Sequence, residues 1–146
     1  MFAHDDHFEV QSEAIAFKEE AQQLQLEGRY EEALPLMKRS FVLRENRHLL
    51  CLTLSELADL YLDMLKLDQA DAACQRMLRE AHRYDEVNQR RIAKAILDNS
   101  LKEREVGIEY GMPVQIKALM SRPELNGKEG VVKGRVRDNG RYVIQV

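Results

Sequence analysis

The stretch FKEEAQQLQLEGRYEEALPLMKRS, Phe17 to Ser40, decides how this chain is read. Apolar or small side chains fall at Phe17, Ala21 and Leu24, and again at Ala33, Met37 and Ser40. Steps of three and four keep such residues on one face of an α-helix. Between the two sets stands Gly28-Arg29-Tyr30, where glycine offers the positive φ that a tight turn requires. The segment therefore predicts two helices folded back on each other. It then recurs. Leu54, Leu57, Ala58 and Tyr61 match the first helix, and Leu67, Ala70, Cys74 and Met77 match the second. Ala21 to Ala58 and Ala33 to Ala70 are both 37 residues, so the period holds at two independent points. The alanines are small where paired helices must approach closely, and the larger apolar residues fill the space between units. Pro35 falls early in the second helix. Interior proline costs about 3 kcal/mol, so that helix is expected to start late or to kink.

A fifth helix is expected over about residues 86–106, with Val87, Ile92, Ala93, Ile96, Leu97 and Leu101 along one side and a polar opposite face. A helix of this kind covers the open apolar face at the end of a helical stack. The pattern changes after residue 111. Val114, Ile116 and Ala118 alternate with polar residues, as do Val132, Gly134 and Val136, and then Tyr142, Ile144 and Val146. Period-two alternation marks half-buried strands. Asp138-Asn139-Gly140 reads as a type I′ hairpin turn, which needs positive φ at both central residues. Three short strands hold too little core to stand alone, so this part is expected to dock on the helices, chiefly on the fifth, or to borrow a strand from elsewhere. The organisation expected is a flexible N-terminus over 1–9, a helical domain over 10–110 and a small β module over 112–146.

The charge supports that division. Residues 112–146 carry seven basic side chains, Lys117, Arg122, Lys128, Lys133, Arg135, Arg137 and Arg141, against Glu124, Glu129 and Asp138. That part is +4 within a total of −3, which leaves −7 on the remainder. Opposite charge on the two parts suits docking of one on the other. Cys51 and Cys74 lie in apolar helical slots and read as buried thiols in a reducing compartment. The opening MFAHDDHFEV is acidic and lacks the apolar segment of a secretory leader. No run approaches the roughly 18 apolar residues of a membrane span. A cytoplasmic location is expected.

The two aligned segments resemble the tetratricopeptide repeat, whose helix–turn–helix units carry W-x2-L-G-x2-Y, then A-x3-F, then P. The match covers residues 14–84. Phe17 and Leu54 hold the tryptophan slot, Glu45 and His82 the closing proline slot. A plain α-hairpin bundle is the other architecture open at this point. The resemblance implies a mainly α fold, two stacked antiparallel helical hairpins plus a capping helix, with a three-stranded β appendage. The run RPELNGKEGVV followed by GRYVI is similar to small SH3-like modules, including the KOW-type motif, and to short C-terminal β modules accompanying repeat regions. The residues carrying that likeness are Arg122, Pro123, Glu124, Leu125, Asn126, Gly127, Gly130, Val132, Gly140, Arg141 and Tyr142.

What the resemblance implies for function is a concave groove lined by the first helix of each pair, at Ile15, Lys18, Gln22 and Gln25, then Ser55, Glu56, Asp59 and Leu62. Such a groove holds a peptide or helix of another protein. Members that clamp a C-terminal carboxylate use asparagines where this chain has Gln22 and Glu56, and Glu56 and Asp59 would repel an anion. The expected function is a non-catalytic adaptor or scaffold with a protein partner. The alternative is association with nucleic acid or the ribosome through the basic surface of Lys117, Arg122, Lys133, Arg135, Arg137 and Arg141. Tyr142 is the sole aromatic there, which serves base stacking poorly. Neither a phosphate-cradling glycine loop nor a catalytic triad motif occurs, so no enzyme and no cofactor are expected. His4-Asp5-Asp6-His7 offers metal-ligating groups, but two histidines three apart at a terminus read as solvated chain. His48 and His82 stand near helix ends, where the dipole favours them.

Overall fold

The computed structural model describes residues 2–44, 50–80, 86–116 and 123–146, with side chains left aside at 2–11, 44 and 86. These residues form α1 (Phe2–Leu26), α2 (Tyr30–Arg44), α3 (Leu50–Asp63), α4 (Leu67–Glu80) and α5 (Glu86–Val106). After them come β1 (Pro113–Gln115), a 3-10 turn at Pro123–Leu125, β2 (Glu129–Arg135) and β3 (Tyr142–Gln145). α1 packs on α2 and α3 on α4, α2 joins the two pairs through α3, and α5 closes the stack against α3 and α4. The backbone of α1 is helical from Phe2, so it includes the stretch that the sequence sets apart as a lead.

α3 is the central helix because it is apolar on nearly every side. Leu50, Cys51, Leu54, Leu57, Ala58, Leu60 and Leu62 are all buried, as expected for a helix packed on most of its circumference. The four repeat alanines, Ala21, Ala33, Ala58 and Ala70, are each 0% exposed, so the 37-residue period marks true contact points. The turns repeat as well. Gly28 has φ 75°, and the Arg29 amide donates to the Leu24 carbonyl at 2.9 Å. In the second pair Leu65 has φ 60°, and the Lys66 amide donates to the Tyr61 carbonyl at 2.9 Å. Leu65 stands 37 residues after Gly28. Left-handed backbone costs a leucine about 1–2 kcal/mol. Leu65 is 1% exposed, and burying it contributes roughly 2 kcal/mol in return.

Of the two expectations for Pro35, the late start is overturned. α2 starts at Tyr30 and keeps Pro35 inside it. The ring removes the amide that would serve the Glu31 carbonyl, while buried Ala33 and Met37 on either side hold the helix to its core.

The three strands make one antiparallel sheet in the order β1-β2-β3. Val132 pairs with Ile144 and Gly134 with Val143, so a bulge leaves Lys133 unopposed. Beyond β2 the turn differs from the expected type I′. The Gly140 amide donates to Val136 at 2.8 Å and the Val136 amide to Arg141 at 2.7 Å. Within Asp138-Asn139-Gly140 only Gly140 takes positive φ, so the loop is a longer one built around residues 137–140. Val146, expected on the inner face, is exposed.

The sheet docks on the turn ends of both hairpins, which corrects the expectation that it leans chiefly on α5. Val143 faces Gly28, and Gly134 lies against the Tyr30 ring and the Asp63 carbonyl. Val132 is buried in the cluster of Leu62, Leu65 and Leu67. The Tyr30 hydroxyl donates to the Arg135 carbonyl at 3.0 Å, and the Tyr110 amide to Leu65 at 3.2 Å. α5 contributes Glu103, 2.5 Å from Arg135. Val87 and Leu101, assigned to the apolar side of α5, are exposed, while Ala93 and Ile96 are buried.

Candidate functional site

Three helices leave a cleft of about 350 Å³ between them. α1 brings Gln22 and Gln25 to it, and α3 brings Ser55, Glu56, Asp59 and Leu62. These are six of the eight expected groove positions, gathered because residues three, four and seven apart share a helix face. Lys18 stands beside the cleft, 3.9 Å from Glu56, and Ile15 is exposed further along α1. The Ser55 hydroxyl donates to the Leu52 carbonyl of its own helix at 2.6 Å.

The sequence reading missed the third wall. Ile92, Ala95, Ile96 and Asn99 of α5 complete the cleft. A signal for them was present. Another 37-residue step carries Ser55 to Ile92, Ala58 to Ala95, Asp59 to Ile96 and Leu62 to Asn99. α5 therefore occupies the place of a third first-helix. Ala95 is exposed where Ala21 and Ala58 are buried. Its counterparts meet the second helix of their pair, and no such helix follows α5 among the described residues.

One end of the cleft is acidic and already filled. Arg137, from the loop after β2, directs Nη2 to Asp59 Oδ1 at 2.5 Å and to Asp63 Oδ1 at 2.9 Å. Gln25 Nε2 donates to the other oxygens of the same two carboxylates, at 3.2 Å to Asp59 and 2.7 Å to Asp63. The amide and the guanidinium thus bridge two like charges that would otherwise repel. Burial pushes the Asp63 carboxyl up to about 6; Gln25 and Arg137 oppose the rise, and the Asp59 charge adds to it. Burial works against charge on Arg137, but Asp59 and Asp63 outweigh it and raise its pKa. Burial also carries the Tyr30 hydroxyl up to about 12, with Asp63 adding to the shift.

Among the described residues of the basic surface, Lys133, Arg135 and Arg137 turn to the helical body. Lys133 Nζ lies 3.0 Å from Glu31 Oε1, and the Tyr110 hydroxyl donates to that same oxygen. The ammonium groups of Lys66 and Lys133 lie 4.4 and 5.0 Å from the centroid of the Tyr110 ring. Arg135 pairs with Glu103, and its Nε donates to the Gly140 carbonyl at 3.2 Å. Arg141 is exposed. Lys117 and Arg122 lie outside the described residues, as do the side chains of His4, Asp5, Asp6, His7, His48 and His82.

Cys51 and Cys74 are free and buried. Burial pushes the Cys74 thiol up to about 11 and Cys51 in the same direction, which disfavours the nucleophilic thiolate. Among the described residues no helix is long and apolar enough to cross a membrane. Comparison with protein-family models, with curated proteins and with solved structures gave no match.

Proposed function

We propose that this chain is a non-catalytic adaptor of tetratricopeptide type that holds a segment of another protein in the cleft between α1, α3 and α5. The observation that carries the reading is the 37-residue period itself. It brings equivalent positions of three helices to one concave surface, with an apolar wall at Ile92, Ile96 and Leu62 and a polar wall at Gln22, Gln25 and Glu56. A groove with one apolar and one polar side suits an amphipathic helix. The buried free thiols suit a reducing, intracellular setting. The nucleic-acid alternative is less favoured because Lys133, Arg135 and Arg137 each engage a carboxylate of the helical body, for which phosphate would have to compete. A gel shift with single-stranded RNA at low salt would reverse that ranking.

The test is selection of helical peptides from a displayed library, with counter-selection against Ala95→Trp. Ala95 is exposed and borders the cleft, so tryptophan fills the space without entering the core. Peptides retained by the wild type and lost by Ala95→Trp are expected. Equal enrichment on both proteins refutes the reading.

A further inference from the structure

α5 carries an exposed stripe apart from its cleft wall. Val87, Arg91, Lys94, Asp98 and Leu101 follow one another in steps of four, three, four and three, the spacing of a seam between two helices. All five are exposed, Val87 at 71% and Leu101 at 58%, and none of them lines the cleft. Arg91, Lys94 and Asp98 lie 37 residues after Leu54, Leu57 and Tyr61 of α3, which pack into the core. α5 therefore presents charge where its counterpart presents apolar surface, so whatever covers this face must answer those charges. Among the described residues, Arg91, Lys94 and Asp98 have no ion-pair partner.

We infer that this stripe is a self-association surface, on which α5 of a second copy of the chain packs antiparallel. The charge runs from basic at Arg91 and Lys94 to acidic at Asp98, so the stripe complements itself only when reversed. An antiparallel crossing near Lys94 sets Arg91 against Asp98 of the second copy, and Val87 against Leu101 of the second copy. One register serves both contacts, because the two residue pairs share a midpoint at Lys94 to within half a residue. A two-fold axis then repeats each contact. The two Lys94 side chains meet at that axis, each about one helical turn from Asp98 of either copy, so an acid offsets each base. A parallel pairing would instead face Arg91 with Arg91 and Asp98 with Asp98. α5 is about 30 Å long, and a single helix pair of that length buries an area at the low end of specific interfaces. The dimer should therefore dissociate on dilution. This inference does not depend on the adaptor reading.

The experiment is sedimentation equilibrium of the full chain from low micromolar to millimolar concentration, on wild type, Arg91→Asp, Asp98→Arg and an equimolar mixture of the two variants. The wild type should pass reversibly from monomer to dimer. Each variant alone sets like charges against each other at both symmetry-related contacts, and should weaken self-association roughly tenfold or more. In the mixture the introduced carboxylate of one variant meets the introduced guanidinium of the other. The native Asp98 of the first then meets the native Arg91 of the second, so a heterodimer of near wild-type strength should return. A wild type that stays monomeric throughout overturns the inference and leaves the face to another protein or to solvent. Dimerisation that both variants leave unchanged also overturns it, by placing the interface elsewhere. So does a mixture that fails to recover what each variant loses. Circular dichroism checks that the variants fold. Should either unfold, Leu101→Glu at the exposed edge of the stripe takes its place: dissociation supports the inference, and undiminished dimerisation refutes it.

Discussion

One methyl group at Gly134 should loosen the β module from the helices. A Cβ there would lie 2.5 Å from two ring carbons of Tyr30 and inside the contact shell of the Asp63 carbonyl oxygen. Neither neighbour can yield easily. The oxygen belongs to the backbone at the end of α3, and Tyr30 is 2% exposed with its hydroxyl bonded to Arg135. Overpacking typically costs about 1–3 kcal/mol, and two rigid neighbours place this case at the upper end. Pushing β2 away also strains the Tyr30 hydrogen bond, for about 1 kcal/mol more. The sum, about 3–4 kcal/mol, lowers the melting temperature by roughly 10 °C for a chain of this size. Gly127→Ala is the control: φ is 86° there, but no atom lies within 4 Å of the added Cβ, so only backbone strain of about 1–2 kcal/mol applies. Thermal unfolding by circular dichroism, with limited proteolysis to follow release of residues 112–146, makes the comparison. A Gly134→Ala protein that melts no lower than Gly127→Ala and resists protease like the wild type refutes the docking account.

Ala58→Leu forces three heavy atoms into a fully buried contact and should cost roughly 1–3 kcal/mol; an unchanged urea midpoint would place the repeat register elsewhere. The raised Asp63 carboxyl gives a pH signature. Its folded pKa of about 6 exceeds the unfolded value of about 3.9, so the folded state holds the proton more tightly and this group's contribution declines as pH rises between them. Asp63→Asn should therefore gain on the wild type by about 2 kcal/mol between about pH 4.5 and about pH 7.5, with denaturant unfolding at each pH as the readout and a constant difference as the failure. The isolated fragment 112–146 should be unfolded, because three short strands bury too little surface against about 1–2 kcal/mol of backbone entropy per residue. Dispersed amide resonances from the fragment would instead show an autonomous module. In the full chain, protection of the module should fall as salt screens the exposed part of its ion pairs with Glu31 and Asp59.

By itself the sequence determined the two helical hairpins, their period and the three strands. Each rests on local spacing: three and four residues for a helix face, two for a strand face, and small alanines at fixed intervals where helices touch. The period even extends to Ile92 and Asn99, so most of the cleft was legible in principle. Tertiary structure alone decided the rest. Leu65 adopts the conformation of Gly28 because its side chain is buried, a gain that no local propensity encodes. The shift at Lys133 comes from pairing between β2 and β3, and Val87 and Leu101 stay exposed because none of the described residues covers that part of α5. Above all, Arg137 reads in sequence as one more base on a positive surface, yet it lies among the cleft's own acids. Its partners are 74 and 78 residues away along the chain, and which carboxylate meets which base is fixed by where the sheet docks.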